Sequence, residues 1–174
     1  MHKIIKAYKQ SIPETRFIGI KYGDGDRDEY GSFGEKWGLA HASDLFGKIE
    51  SAVGIDKIRV LYEDSDAYVG LMRCNADEPF QYWIGMFTPA GSPVPDGMEY
   101  VDFVASELGI AWIYGDEGDV FCHDDECVAE LTKIGCAPKN DESGSMWFFE
   151  RYQCPRYTTP DDDGKIILDS GYFI

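Results

Sequence analysis

Residues 89–97 read PAGSPVPDG, with three prolines and two glycines in nine positions. Proline removes a backbone donor and glycine costs backbone entropy, so neither strand nor helix runs through such a stretch. No other segment punctuates the chain as strongly, and the same order of elements can be read on either side of it. Before it, TRFIGIKY at residues 15–22 carries the apolar alternation of a strand. Ser32 and Glu35 have capping-box spacing, which predicts a helix starting at Phe33. Phe33, Trp37, Ala40, Leu45, Ile49 and Val53 give that helix one apolar face, and Gly54 stops it. KIRVLYE at 57–63 and FQYWIGMF at 80–87 then read as strands, with SDAYVGLMRCNADEP between them as a loop.

After the break, MEYVDFVA and GIAWIYGD read as strands, residues 120–134 as a helix ended by Gly135, and SMWFFERYQC and KIILDSGYFI as a closing pair joined by PRYTTPDDDG. The expectation is an α+β fold of two strand-helix-strand-strand modules related by a pseudo-two-fold. It has an antiparallel sheet, two main helices and a central ligand groove. The first module covers about residues 15–88, the linker 89–97 and the second module about 98–174, all within one domain.

The chain has 174 residues, 16 basic against 32 acidic, for a net charge of −16. That field repels nucleic acid phosphates and anionic membranes, so direct nucleic acid binding and a membrane partner are not expected, whereas a cationic ligand is favoured. No apolar run is long enough for a membrane span or an export signal, and five cysteines without such a signal imply reduced thiols in a cytoplasmic protein.

The run SMWFFERYQC sets a carboxylate, Glu150, among large rings. On a strand Met146, Phe148, Glu150, Tyr152 and Cys154 share one face, and Trp147, Phe149, Arg151 and Gln153 the other. A carboxylate on a dry face is costly unless it is paired or protonated, so it wants a cation or a proton; the alternatives are a wet strand edge, or a lysine or arginine partner from a neighbouring strand with the rings simply core. Arg151, pointing the other way, cannot be its direct partner. Rings at Phe148, Tyr152, Tyr82, Trp83, Trp112 and Tyr172 fall on expected strands, and such faces with one carboxylate make a box for a flat organic cation. The candidate ligand-binding residues are Glu150, Tyr152, Phe148, Trp112, Tyr82 and Trp83. If the protein is an enzyme, Glu150 is the general base or proton relay and Tyr152 stabilises developing charge.

Other constellations carry less. Cys122, His123, Cys127 and Cys136 lack the paired spacing of structural zinc, so no metal ligands are assigned and no cofactor is expected. The acidic glycine-containing loops read as turns, His41 as a surface or satisfied histidine, Trp37 as packing between helix and sheet with the groove within its reach as the alternative, and no nucleophile elbow is present.

RFIGIKY, SFGEKWG at the first helix, the proline-rich break before GMEYVDF and, most specifically, FFERYQCPRYTTPDDDGKIILDSGYFI together resemble the GyrI-like small-molecule-binding family. This is the effector-binding domain of AraC-type and MerR-type bacterial transcription regulators, here in stand-alone form. The resemblance spans about residues 15–174. It implies two modules with a ligand groove at their junction. In drug-sensing relatives an acidic residue in an aromatic pocket engages lipophilic cations, and Glu150 is the matching position. The resemblance also implies an alternative activity, a hydrolase that opens strained cyclopropane rings in the same groove. A third reading is an acidic interaction surface for a protein partner. The fourteen residues before the first expected strand are too short for a helix-turn-helix, so direct transcriptional control is not expected.

Overall fold

A computed structural model describes residues 1–174. Its eight strands are β1 (Lys3–Ile12), β2 (Thr15–Tyr22), β3 (Val69–Cys74), β4 (Gln81–Pro89), β5 (Glu99–Phe103), β6 (Ser106–Gly115), β7 (Met146–Arg151) and β8 (Ile166–Phe173). Its helices are α1 (Gly34–Ala42), α2 (Leu45–Val53), α3 (Ile55–Arg59), α4 (Asp124–Lys133) and α5 (Pro155–Thr158). The strands form one antiparallel sheet in the order β1-β6-β8-β7-β3-β4-β2-β5. The α+β class is therefore as expected.

The strand order is symmetric about the central β7–β3 pair. On one side lie β8 and β6, on the other β4 and β2, each trio being the strand, strand, strand of one helix-interrupted half. The outermost strands are exchanged: β1 pairs with β6 of the second half, and β5 with β2 of the first. The exchange dictates the shape of the sheet. Only Pro13 and Glu14 join β1 to β2, and only Val104 and Ala105 join β5 to β6, yet each link connects strands six places apart in the sheet. Six strand spacings in a flat sheet would be about 29 Å, and two linking residues reach about 11 Å. The sheet must therefore curl until its edges approach. The rings agree, since Phe103 on edge strand β5 stacks on Phe173 of β8 with centroids 4.7 Å apart.

The concave side closes over Phe17, Leu71, Trp83, Phe87, Trp147 and Phe149. The convex side carries the helices in two patches. Phe46, Ile49 and Ile58 of α2 and α3, with Phe33 and Ala40 at and in α1, pack on Ile18, Ile84 and Met86. Cys127 and Leu131 of α4 pack on Ala111, Ile113 and Leu168. Between the patches, over β3 and β7, the convex face is left as a groove. No helix is long and apolar enough to cross a membrane.

Several local expectations are corrected. Residues 3–12 form a strand, where the sequence pattern predicts no element. The single long helix is two, because the step from Ala40 to Leu45 is five residues and slips the apolar stripe by about 140° out of helical phase. The chain takes up the slip at Asp44, whose φ is 54°. The capping box does not close: Ser32 Oγ accepts from the Gly34 amide at 3.1 Å, but the Asp28 carboxylate, accepting from the amides of Tyr30 and Ser32, organises the turn instead of Glu35. KIRVLYE is no strand: Lys57, Ile58 and Arg59 end the short helix α3 and residues 60–63 are turn and bend, with Ile58 buried and Val60 exposed. The missing strand lies in the expected loop, as β3. The second helix starts at Asp124, after a positive φ of 63° at Cys122.

Candidate functional site

Glu150 is the next-to-last residue of β7. Its neighbours across the ladder are Gly70 on β3 and Ser170 on β8. Gly70 matters because a Cβ there would lie 2.5 Å from Tyr82 Oη and 3.3 Å from the Tyr152 ring. Only glycine lets those rings close over the strand beside the carboxylate. The result is a groove of about 760 Å3, a volume ordinary for drug-sized ligands.

One wall comes from α1 and its entry, where the Phe33 ring stacks on Tyr82 at 4.1 Å and the Trp37 indole N–H donates to Tyr82 Oη at 2.9 Å. Trp37 also meets the Tyr152 ring edge-on at 4.6 Å. Tyr68, stacked on Phe46 at 3.7 Å, extends this wall from the start of β3. The opposite wall comes from Phe121 and Cys122 before α4, from Asp124 at its first position, and from Tyr157 on α5, whose ring is perpendicular to Tyr152 at 5.4 Å. Arg27 is the groove's cation, but it is committed elsewhere: its Nε donates to Asp24 at 2.9 Å and its guanidinium lies over Phe33.

The Glu150 carboxylate accepts a hydrogen bond from the Tyr152 hydroxyl and forms no ion pair. It is lodged deep among rings while part of its surface stays open to the groove. Burial pushes its pKa from the ordinary 4.5 to about 7; the Tyr152 hydrogen bond opposes that rise and the nearby Asp124 charge adds to it. Burial likewise raises the Tyr82 phenol to about 12 and holds Tyr152 well above the usual tyrosine range. The Glu150 carboxyl group, pushed toward its protonated form by burial, thus lies among protonated phenols, with Asp124 as a second acidic side chain lining the groove.

Of the six residues expected to bind ligand, Glu150, Tyr152 and Tyr82 line this groove together. Phe148 lies beneath it, buried and stacked on Tyr172 at 5.9 Å. Trp83 and Trp112 are on the concave side of the sheet. Trp83 meets Phe17 edge-on, and Trp112 lies under the Arg156 guanidinium at 4.6 Å. The strand alternation also ends early, since β7 stops at Arg151 and the chain bends where the Tyr152 amide donates to the Tyr68 carbonyl at 2.9 Å. Cys154 thereby turns into the concave core, and Gln153, assigned to the other face, reaches the groove. Phe33, Tyr68 and Phe121 carry no sequence signal that marks them as walls, and Trp37, for which the groove is the alternative to packing, lines it. For Trp37 the near-helical spacing was signal enough for the helix but could not tell which part of its face stays uncovered.

Cys122, His123, Cys127 and Cys136 do not converge on one point; Cys127 and Cys136 are buried and Cys122 is exposed. Asp64, Cys154 and Asp169 do converge, but Arg156 already occupies their centre. It donates to Asp169 from Nε at 2.7 Å and to Asp64 from Nη2 at 2.7 Å.

No protein-family model matches the chain, and no curated protein matches it in sequence. Solved structures do match in fold. SAV2435 bound to tetraphenylphosphonium superposes with a TM-score of 0.63 at 16% identity, covering 97% of this chain and 93% of that one. A protein from Staphylococcus aureus MU50, solved as a bacterial transcription regulation protein, gives 0.59 at 16% identity with 97% of both chains covered. A hydrolase from Listeria innocua gives 0.50 at 13% identity, covering 96% and 90%. At these identities the likeness is one of fold.

Proposed function

We propose that the protein captures lipophilic organic cations in the groove between its two halves. The carrying observation is Glu150, a carboxylate deep among rings with a tyrosine hydroxyl as its partner and no basic side chain to neutralise it. A cation entering the groove supplies the missing charge, and the faces of Trp37, Tyr68 and Phe121 add contacts of about 0.5 to 2 kcal/mol each. The reading is supported by the tetraphenylphosphonium bound to SAV2435, a lipophilic cation held by a protein of similar fold. With a net charge of −16, nucleic acid is a poor direct partner.

Tetraphenylphosphonium itself is a suitable probe, titrated calorimetrically against neutral triphenylphosphine oxide. The cation should bind more tightly, and Glu150→Gln should weaken the cation by at least about tenfold, or 1.4 kcal/mol, while leaving the neutral compound nearly unchanged. Equal losses for both compounds, or none, would refute the reading.

A second reading is hydrolysis of a strained electrophile. It is favoured by the carboxyl group's pKa of about 7, which lets it take a proton from water at neutral pH, and by the hydrolase of similar fold. In that reaction Glu150 accepts the proton as the water oxygen bonds to a cyclopropane carbon. The electrons of the broken carbon–carbon bond move into the conjugated ring system of the substrate, where the Tyr152 phenol, released once Glu150 is protonated, can donate a hydrogen bond, and the anion then takes the proton from Glu150. Turnover of an activated cyclopropane that disappears in Glu150→Gln while binding persists selects this reading over capture alone.

A further inference from the structure

Outside the groove, at the edge of its α4 wall, two histidines far apart in sequence are stacked. The rings of His2, just before β1, and His123, just before α4, lie 3.3 Å apart at 20°. Glu126, in the first turn of α4, faces both. His2 Nε2 is 3.0 and 3.1 Å from its two carboxylate oxygens, and His123 Nδ1 is 3.5 Å from one of them. From this juxtaposition we propose a divalent transition-metal site, with His2 Nε2, His123 Nδ1 and a Glu126 oxygen as ligands.

Three features of the geometry support it. Zinc bonds to nitrogen and oxygen of about 2.0 to 2.1 Å place tetrahedral ligands about 3.3 to 3.4 Å from one another; the His2 and His123 nitrogens stand 3.0 and 3.5 Å from Glu126, all three donors lie within 4.8 Å of one another, and an ion would turn the two rings out of their stack so that both in-plane lone pairs meet it. The second feature is the use of the outer nitrogen: His123 Nε2 is 2.7 Å from the Asp119 carbonyl and can donate to it, leaving Nδ1 as the acceptor turned to Glu126. Metal-bound imidazoles are oriented in this way, by a hydrogen bond from their other nitrogen to a carbonyl or carboxylate. Third, the seat of His2 is built in. A Cβ on Gly115, at the end of β6, would lie 3.1 Å from His2 Cα, so glycine at that position lets the chain before β1 lie close against β6.

The two histidine side chains are 23% and 19% exposed, which keeps them partly sheltered yet open to an incoming ion. Two imidazoles and one carboxylate suit zinc, nickel or cobalt and disfavour magnesium and calcium, which take oxygen ligands. A three-ligand set leaves a coordination position to water. His123 sits between Cys122 and Asp124, both of which line the groove, so an ion at this site ties the chain before β1 to the groove's α4 edge.

The test uses tag-free protein stripped with chelator and titrated with zinc chloride by calorimetry. One equivalent should bind, and His2→Ala, His123→Ala and Glu126→Gln should each weaken it about tenfold or more. Cobalt(II) loaded into the unmutated protein should give visible ligand-field bands without the near-ultraviolet band of a thiolate ligand. Absence of zinc, nickel and cobalt binding overturns the proposal. Zinc binding that survives both histidine variants, or a thiolate band implicating Cys122, also overturns it.

Discussion

Replacing Glu150 by glutamine should make the unliganded protein more stable, and only above mildly acidic pH. The Glu150 pKa is raised from 4.5 in the unfolded chain to about 7 in the fold. Between those values the folded state holds a proton that the unfolded state has released. Folding stability from this group is therefore fully present below about pH 4.5 and is lost as pH rises through 7. A rise of about 2.5 pKa units at 1.36 kcal/mol each corresponds to a cost of about 3 kcal/mol at pH 8. Glutamine keeps the shape and can accept from Tyr152 without titrating. The quantity to measure is the difference in unfolding free energy between the two proteins, because the other acidic groups titrate alike in both and cancel. Urea melts at about pH 5 and pH 8 should show that difference moving in glutamine's favour by about 2 to 3 kcal/mol. A difference that is constant with pH, or that favours glutamate at the higher pH, would mean that the carboxylate is solvated and that the capture reading has lost its basis.

Tyr152→Phe removes the hydrogen bond that stabilises ionised Glu150, so the carboxyl pKa should rise above about 7 and the pH midpoint of tetraphenylphosphonium binding should move upward; an unmoved midpoint would show that the phenol does not hold the carboxylate. Gly70→Ala sets a methyl group 2.5 Å from Tyr82 Oη, so that ring must move; cation affinity should fall about tenfold or more, and a crystal structure of the variant should show the displaced phenol. On the concave side, Arg156→Met leaves Asp169 with a single arginine at 3.5 Å, and the loss should be about 3 kcal/mol of stability by urea melt with little effect on cation affinity measured under folded conditions.

How far the fold was legible depended on how local its determinants are. β2, β4, β6 and β8 each carry their own alternation or apolar run, and Gly54 and Gly135 mark helix ends with positive φ of 95° and 76°. β3 was illegible because its middle contains Gly70, which packs nothing of its own, and Arg73, which is buried through its ion pair with Glu78 and its place over Trp147. Both residues argue against a strand in isolation and are explained only by partners elsewhere in the chain. β1 was hidden for a similar reason: KIIKAYKQSI alternates imperfectly, and its register with β6 contains an irregularity between Ile4 and Lys6. At the site, chemistry was more legible than direction. Of the candidates chosen for a carboxylate among rings, Glu150, Tyr152 and Tyr82 share one groove. Trp83 and Trp112 were mistaken for walls because ring content alone does not say which side of a curled sheet a residue occupies, and the exchanged strands that curl it are not written in any local pattern.

The sheet holds two acidic residues close together, and they are treated oppositely. Asp169 lies across the ladder from Arg151, one position from Glu150, and is fully buried on the concave side. There Arg151 and Arg156 both face it, Arg156 through two nitrogens, and Arg156 is further held by Asp64 and by the Trp112 ring. Every charge in that cluster meets an opposite one, so it fixes where the segment after β7 docks without leaving an acceptor free. Glu150, one residue along and facing the other way, has a phenol and no cation. Burying a carboxylate without a counter-charge works against folding, whereas pairing it with a lysine or arginine from a neighbouring strand would have been an ordinary solution, as Asp169 demonstrates. The arrangement makes physical sense when the counter-charge comes from outside: the energy withheld from folding becomes available to binding, and the ring walls restrict it to guests that can give up their water.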